Sequence, residues 1–204
     1  MPLVYQQNIN AVTKMGVWHI TESEEYFLEQ VPLQRNITHR HKRLQHLAGR
    51  LLLKELYPGF PVSLIRIADT RKPYLPDEPF HFSISHCGDY AAVILSKEYH
   101  VGVDVERMTE KIGKVIPKFL SAKESYLLPR GALKEMATLC WSVKETVFKW
   151  IGTGGVDFKK DIVIIKINGE TEGTVHCIVH DTIALDVHFL IFNNNCLTWV
   201  VTEK

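Results

Sequence analysis

The sequence predicts an α+β protein of two pseudo-symmetric lobes, each a small, mainly antiparallel sheet packed with helices. Two observations lead there. A helix followed by short strands occurs once on each side of about residue 105. The β-rich runs are short and divided by Asn-Gly, His-Asp and Asn-rich turns. The expected lobes are residues 1–105 and 106–204. With 204 residues, 46% of them hydrophobic, the chain has ample apolar material for a buried core.

From Thr38 to Leu56 apolar residues recur at Leu44, Leu47, Ala48, Leu51, Leu52 and Leu56, while Arg40, Lys42, Arg43, Arg50 and Lys54 take other positions. That spacing predicts an amphipathic helix with a basic side, ended by Tyr57-Pro58-Gly59. Val62 to Ile67 has the β-branched richness of a strand, and Arg71-Lys72-Pro73 falls in the loop after it. Phe80 to Ser85, Tyr90 to Leu95 and Val101 to Val105 read as three neighbouring strands. Ser121-Ala122-Lys123-Glu124 is a capping box for a short helix. Lys134 to Trp150 carries a longer helix with Leu139, Val143, Val147 and Trp150 on its apolar stripe, stopped at Gly152-Thr153-Gly154-Gly155. Four further β-rich runs follow: Ile162 to Ile167, Val175 to Val179, Leu185 to Ile191 and Leu197 to Val201.

Charge is balanced, Lys+Arg 24 against Asp+Glu 23, so nothing in the net charge points to nucleic acid or an acidic membrane, and any anion site must be local. The four cysteines, Cys87, Cys140, Cys177 and Cys196, are scattered and form no Cys-x-x-Cys pair, which suits reduced thiols rather than a zinc ribbon or a disulfide framework. The N-terminal residues lack a signal-peptide pattern and no segment is long and apolar enough to span a bilayer, so a soluble, cytoplasmic protein is expected.

Three constellations could carry chemistry. In Val101-Gly102-Val103-Asp104-Val105-Glu106 the period of a strand sends Asp104 and Glu106 to one face. Two such acids need a cation or a shared proton, and oxygen ligands suit Mg²⁺; the alternative is a solvated acidic strand end. On the long helix Glu145 and Lys149 lie one turn apart. They form either a surface salt bridge or, among Trp141, Val143, Val147, Phe148 and Trp150, a partly buried acid and base. Phe82-Ser83-Ile84-Ser85-His86 brings a hydroxyl and an imidazole to a strand end. Ser85 lacks the glycines of a nucleophile elbow, so contact with a ligand phosphate is its better functional use, beside the alternative of an ordinary strand-end turn. Arg71, Lys72, Arg43, Arg50 and Lys54 add cationic donors, each of which could equally be a solvated side chain.

In order, Arg-Lys-Pro, Phe-x-Ile-Ser-His, Val-Gly-Val-Asp-Val-Glu and, about forty residues on, Trp-Ser-x-Lys-Glu-x-x-x-Lys resemble the motif series of the phosphopantetheinyl transferase superfamily. The resemblance runs from about Arg43 to Phe158, and the length suits the monomeric surfactin-synthetase-activating type with two pseudo-symmetric lobes. It implies Mg²⁺-dependent transfer of the 4′-phosphopantetheine group from coenzyme A to a serine of an apo acyl or peptidyl carrier protein, with adenosine 3′,5′-bisphosphate released. By the same resemblance Asp104, Glu106 and Glu145 would hold Mg²⁺, and Glu145 and Lys149 would act in catalysis. Arg43, Arg50, Arg71, Lys72, Pro73, Ser85 and His86, with Asp104 and Lys149, would bind coenzyme A. Arg71 departs from the glycine that relatives commonly carry before Lys-Pro. A monomer with a site between the lobes is expected.

Other readings of the same residues are a non-catalytic coenzyme A or carrier-binding module, a Mg²⁺-dependent phosphohydrolase, and a scaffold whose acids are structural. Gly152 to Gly155 follows a helix rather than opening one, so it reads as a turn and not a phosphate loop. His176 and His180, on a β-rich run, would lie roughly 13 Å apart and read as surface histidines. His39, His41 and His46 flank the basic helix and read as a solvated face or as helpers in phosphate binding.

Overall fold

The structure is a computed structural model that describes residues 2–129 and 131–203. It is α+β, with its strands gathered in two larger sheets, and it divides into two compact units. One ends at Val101 and takes in Thr202 and Glu203; the other is Gly102–Val201.

The first unit opens with β1 (Leu3–Asn8) and β2 (Thr13–His19), an antiparallel hairpin. Next come α1 (Glu24–Gln30), capped by the Ser23 side chain, and the long α2 (Arg40–Leu56). A short ribbon of β3 (Arg66–Ile67) and β4 (Pro73–Tyr74) precedes β5 (His81–Cys87) and β6 (Tyr90–Ser96). The four-stranded sheet has the order β1-β2-β6-β5. Leu47, Leu51, Leu52 and Leu56 of α2 are buried with Trp18, Phe27, Phe82, Val93 and Leu95, as the helical spacing predicts. Helix and sheet meet closely at Gly49, where an added Cβ would come within 2.8 Å of Ile84.

The second unit contains a five-stranded sheet in the order β7-β11-β10-β9-β8: β7 (His100–Arg107), which begins just before the division, then β8 (Ile162–Gly169), β9 (Glu172–Val179), β10 (Ile183–Phe192) and β11 (Asn195–Thr202). Between β7 and β8 run α3 (Ile116–Phe119), a 3-10 turn at Ala122–Leu127 and α4 (Leu133–Ile151). Leu139, Val143 and Val147 of α4 pack with Ile162, Val175, Val187 and Phe189 of the sheet. Gly152, in the left-handed conformation at φ 71°, ends α4, where a residue without a Cβ is least strained.

Two expectations need correction. Val62 to Ile67 is a 3-10 turn at Val62–Leu64 followed by only two strand residues: Pro61 opens the turn, and the run is too short to hold a sheet edge. The stretch from Val101 to Val105 is not a third neighbour of β5 and β6; β7 lies beside β11 in the other sheet, because a run buried on both faces pairs wherever the topology takes it. The hairpin of β1 and β2 and helix α1 add to the elements expected from the sequence, and Ser23 followed by Glu24 and Glu25 is the helix-start signal of α1. His176 sits in a cross-strand cluster, hydrogen-bonded to Asp186 and Asn168, while His180 falls in the turn just past β9. Among the described residues no helix is long and apolar enough to cross a membrane.

Candidate active site

In the second unit one face of β7 lies against α4, and the two elements keep step. Two strand residues advance about 6.6 Å and four helix residues about 6 Å. Gly102 therefore meets Thr146 and Trp150, Asp104 meets Ser142 and Lys149, and Glu106 meets Trp141. The contact at Gly102 is backbone to backbone: a Cβ there would sit 2.4 Å from the Thr146 carbonyl oxygen. Glycine is what lets the acid-bearing strand approach the helix. Gly102→Ala is accordingly expected to cost about 2–3 kcal/mol of folding stability and to push α4 away from Asp104. Urea denaturation of the purified variant checks this, and a cost below about 0.5 kcal/mol would contradict the contact.

Asp104 is only 2% exposed. Its Oδ1 accepts from Lys149 Nζ at 2.6 Å and its Oδ2 from Ser142 Oγ at 2.8 Å, so the buried carboxylate is compensated on both oxygens. Glu106, half-buried, accepts from Trp141 Nε1 at 3.0 Å. Glu145 has no hydrogen-bond partner among the described residues. Burial, then the charge of Asp104, push its carboxyl up to about 7; Lys149 opposes this and Glu106 adds to it. The helical neighbours Glu145 and Lys149 thus do not pair as a surface salt bridge: Lys149 reaches across to the strand. Among the described residues no three histidine, cysteine, aspartate or glutamate side chains close on one point as metal ligands do. Asp104 is drawn to Lys149 and Ser142, and Glu106 to Trp141.

Lys144, one residue before Glu145, is fully buried and was not singled out in the sequence. It bonds Glu124 Oε1 at 2.8 Å and donates to the carbonyls of Phe158 and Ile162. Glu124 also accepts from the Ser121 amide and hydroxyl and the Ile164 amide. The capping box at Ser121 was the available signal; that its acid also meets a buried lysine depends on tertiary packing.

Trp141 also walls two adjoining cavities. One, about 720 Å³, is lined by Val115, Lys118, Val156, Phe158 and Lys159; the other, about 270 Å³, reaches Glu106. The segment beside them exposes Arg107, Lys111, Lys114, Lys118 and Lys123 against a single exposed acid, Glu110.

The remaining candidates belong to the first unit. Arg43 is engaged by Glu24, through Nε at 2.6 Å and Nη2 at 2.9 Å. Arg50 is buried and donates to Gln34 and to the His46 carbonyl; desolvation, with Arg35 nearby, lowers it to about 10. His46 Nε2 is buried without a partner, and desolvation, then Arg50, Arg35 and His86, push the ring down to about 3. Arg50 and Arg35 thus place positive charge beside the desolvated His46 ring. Burial lowers the half-buried Lys72, against an opposing effect of Glu78. Arg71 is exposed at φ 68°, where the turn from Ala68 to Lys72 puts it in the region glycine favours, and Pro73 opens β4. Ser85 is buried in β5 and His86 exposed at its end. The sequence candidates thus fall into two sets, Asp104, Glu106, Glu145 and Lys149 in one unit and the basic residues with Ser85 and His86 in the other.

Residues 100–197 match the family model of the 4'-phosphopantetheinyl transferase superfamily. The chain is 32% identical to enterobactin synthase component D of Salmonella austin over 113 residues, covering 54% of this chain and 48% of that protein. It is 31% identical to enterobactin synthase component D of Escherichia coli O157:H7 over 118 residues, covering 54% and 55%. To the L-aminoadipate-semialdehyde dehydrogenase-phosphopantetheinyl transferase of Mus musculus it is 32% identical over 130 residues, covering 53% and 42%. The chain spans about half the length of the curated relatives it matches. The matched segment contains β7, the whole of α4 and every acid of the site, so the likeness to the 4'-phosphopantetheinyl transferase superfamily falls on the residues that build it.

Proposed function

We propose that this chain transfers the 4′-phosphopantetheine group of coenzyme A to a serine hydroxyl of an apo acyl or peptidyl carrier protein, in a Mg²⁺-dependent reaction that releases adenosine 3′,5′-bisphosphate. The observation that carries the reading is Glu145: a carboxyl without a hydrogen-bond partner among the described residues, held at about 7 beside Asp104 and Glu106. A group with that pKa is poised to take a proton from a serine near neutral pH. The donor set suits a hard divalent cation by chemistry and by charge, since the charges of Asp104 and Glu106 both raise the Glu145 carboxyl and a cation would offset them. Asp104, Glu106 and Glu145 are the residues that would hold it, and when bound the ion offsets charge gathering on the pyrophosphate.

Lys149 adds a fixed positive charge beside Asp104 and would steady the pyrophosphate as adenosine 3′,5′-bisphosphate departs. His46, Arg50 and Lys72 are desolvated donors of the kind that suits phosphate oxygens. We read the protein as a monomer, and as cytoplasmic because its scattered cysteines suit a reducing compartment. Calorimetric titration with coenzyme A tests the metal's part: Mg²⁺ is expected to tighten binding at least tenfold, and equal affinity in EDTA would sink the proposed bridge.

The carrier's acidic helices have a matching surface in the Trp141 cavities, which are apolar at the wall and edged by Lys118 and Lys159. Charge reversal at Lys118 and Lys159 together is expected to raise KM for the carrier by about tenfold at low salt, with kcat and coenzyme A affinity kept. An unchanged KM would move docking to another surface.

A further inference from the structure

Asp104 lies at the end of a row of buried hydroxyls. Ser142, Thr146 and Thr198 are each fully buried, the first two on α4 and the third on β11. Ser142 Oγ lies 2.8 Å from Asp104 Oδ2 and 2.9 Å from Thr198 Oγ1, and Thr198 Oγ1 lies 2.6 Å from Thr146 Oγ1. A hydroxyl has one proton to give, and a carboxylate can only accept. Ser142 therefore spends its proton on Asp104. Across the next contact Thr198 must be the donor, and its hydroxyl also points at the Ser142 carbonyl at 3.0 Å. Thr146 in turn must donate to Thr198, to its hydroxyl or to its carbonyl at 3.2 Å. The side-chain contacts thus lead toward the carboxylate, with the Thr198 proton shared between the Ser142 hydroxyl and carbonyl and the Thr146 proton between the Thr198 hydroxyl and carbonyl.

We infer that Thr198 is a positioning residue for Asp104, the middle member of a hydroxyl relay from Thr146 through Thr198 and Ser142 that fixes the carboxylate's second oxygen. This rests on the reading of Asp104 as a ligand of the Mg²⁺–coenzyme A complex. Thr198 lies one residue beyond the segment matched to the superfamily and in none of the sequence motifs. Valine keeps its shape and removes the hydroxyl; serine keeps the hydroxyl.

The test is calorimetric titration of Mg²⁺ into the full chain saturated with coenzyme A, for the unmodified protein, Thr198→Val, Thr198→Ser, Ser142→Ala and the Ser142→Ala/Thr198→Val double variant. Thr198→Val is expected to weaken Mg²⁺ binding by on the order of five- to tenfold, and Thr198→Ser by no more than about twofold. In the Ser142→Ala background Thr198→Val should add nothing, since the link it acts through is already gone. Packing alone would not reproduce that coupling. Equal Mg²⁺ affinity in Thr198→Val and the unmodified chain, or full additivity in the double variant, overturns the relay. If Thr198→Val does not fold, Thr146→Val puts the same question, with a two- to threefold loss expected and no loss counting against the relay. No Mg²⁺ binding by the unmodified chain would instead overturn the proposed function, and the relay's role with it.

Discussion

Glu145→Gln is expected to abolish carrier modification, with a loss of about 10²–10⁴-fold, and at the same time to make the ligand-free protein more stable at pH 8. Both follow from one cause. Burial and the charge of Asp104 raise the folded-state carboxyl from 4.5 to about 7, so between those values the folded protein holds a proton that the unfolded chain has released. The resulting stability is fully present below pH 4.5 and is lost as pH rises through about 7. At pH 8 the ionised side chain costs roughly 2–3 kcal/mol after allowance for its partial exposure. Glutamine carries no charge and cannot accept the proton of a serine. Denaturant titrations of both proteins at pH 5 and pH 8 should show the variant's advantage growing with pH. A variant that stays active, or whose advantage shrinks toward alkaline pH, would show that Glu145 is neither desolvated nor the base.

Glu124→Ala should be the most damaging single change to the fold of the second unit, at about 3–5 kcal/mol. Lys144 shows no exposed surface, and desolvation already pulls its pKa down. Removing Glu124 would leave that ammonium with two carbonyls and no counter-charge, and would also strand the Ser121 and Ile164 amides. The loss is a large fraction of a typical domain's 5–15 kcal/mol. The double change Glu124→Gln/Lys144→Met should recover most of it, because the cost belongs to an unpaired buried charge rather than to a missing attraction. Urea unfolding distinguishes these; a single variant within 1 kcal/mol of the parent would mean that Lys144 finds water.

Much of the site was legible because it is built from short periods. Alternation along Gly102, Asp104 and Glu106 puts the acids on one strand face, and helical spacing through Trp141, Glu145 and Lys149 lays the long helix beside it. Caps were legible where the chain marks them, at Ser121 with Glu124 and at Gly152. What local pattern cannot supply is the partner across space. Lys149 and Glu145 read in sequence as either a surface salt bridge or a partly buried acid and base, and only the fold shows Lys149 reaching Asp104 on β7. Lys144 stands in the Trp-Ser-x-Lys-Glu motif, but its partner Glu124 comes from a separate turn. Thr198 is an ordinary strand threonine until β11 comes to lie beside β7. The strand assigned at Val62 failed for a related reason: β-branched residues favour a pleated surface only when a neighbouring strand is there to receive them.

The central claim, that the acids of β7 and α4 catalyse transfer of phosphopantetheine to a carrier serine, is tested most directly by intact-mass measurement. The purified chain is incubated with coenzyme A, Mg²⁺ and an apo acyl carrier protein, and in parallel with a peptidyl carrier protein. The account predicts a mass gain of one phosphopantetheine on a carrier, absent with EDTA and absent with Glu145→Gln. No gain on any of several carriers, despite measurable coenzyme A binding, would contradict it and leave a binding module; release of phosphopantetheine into water with the carrier unchanged would make the chain a hydrolase.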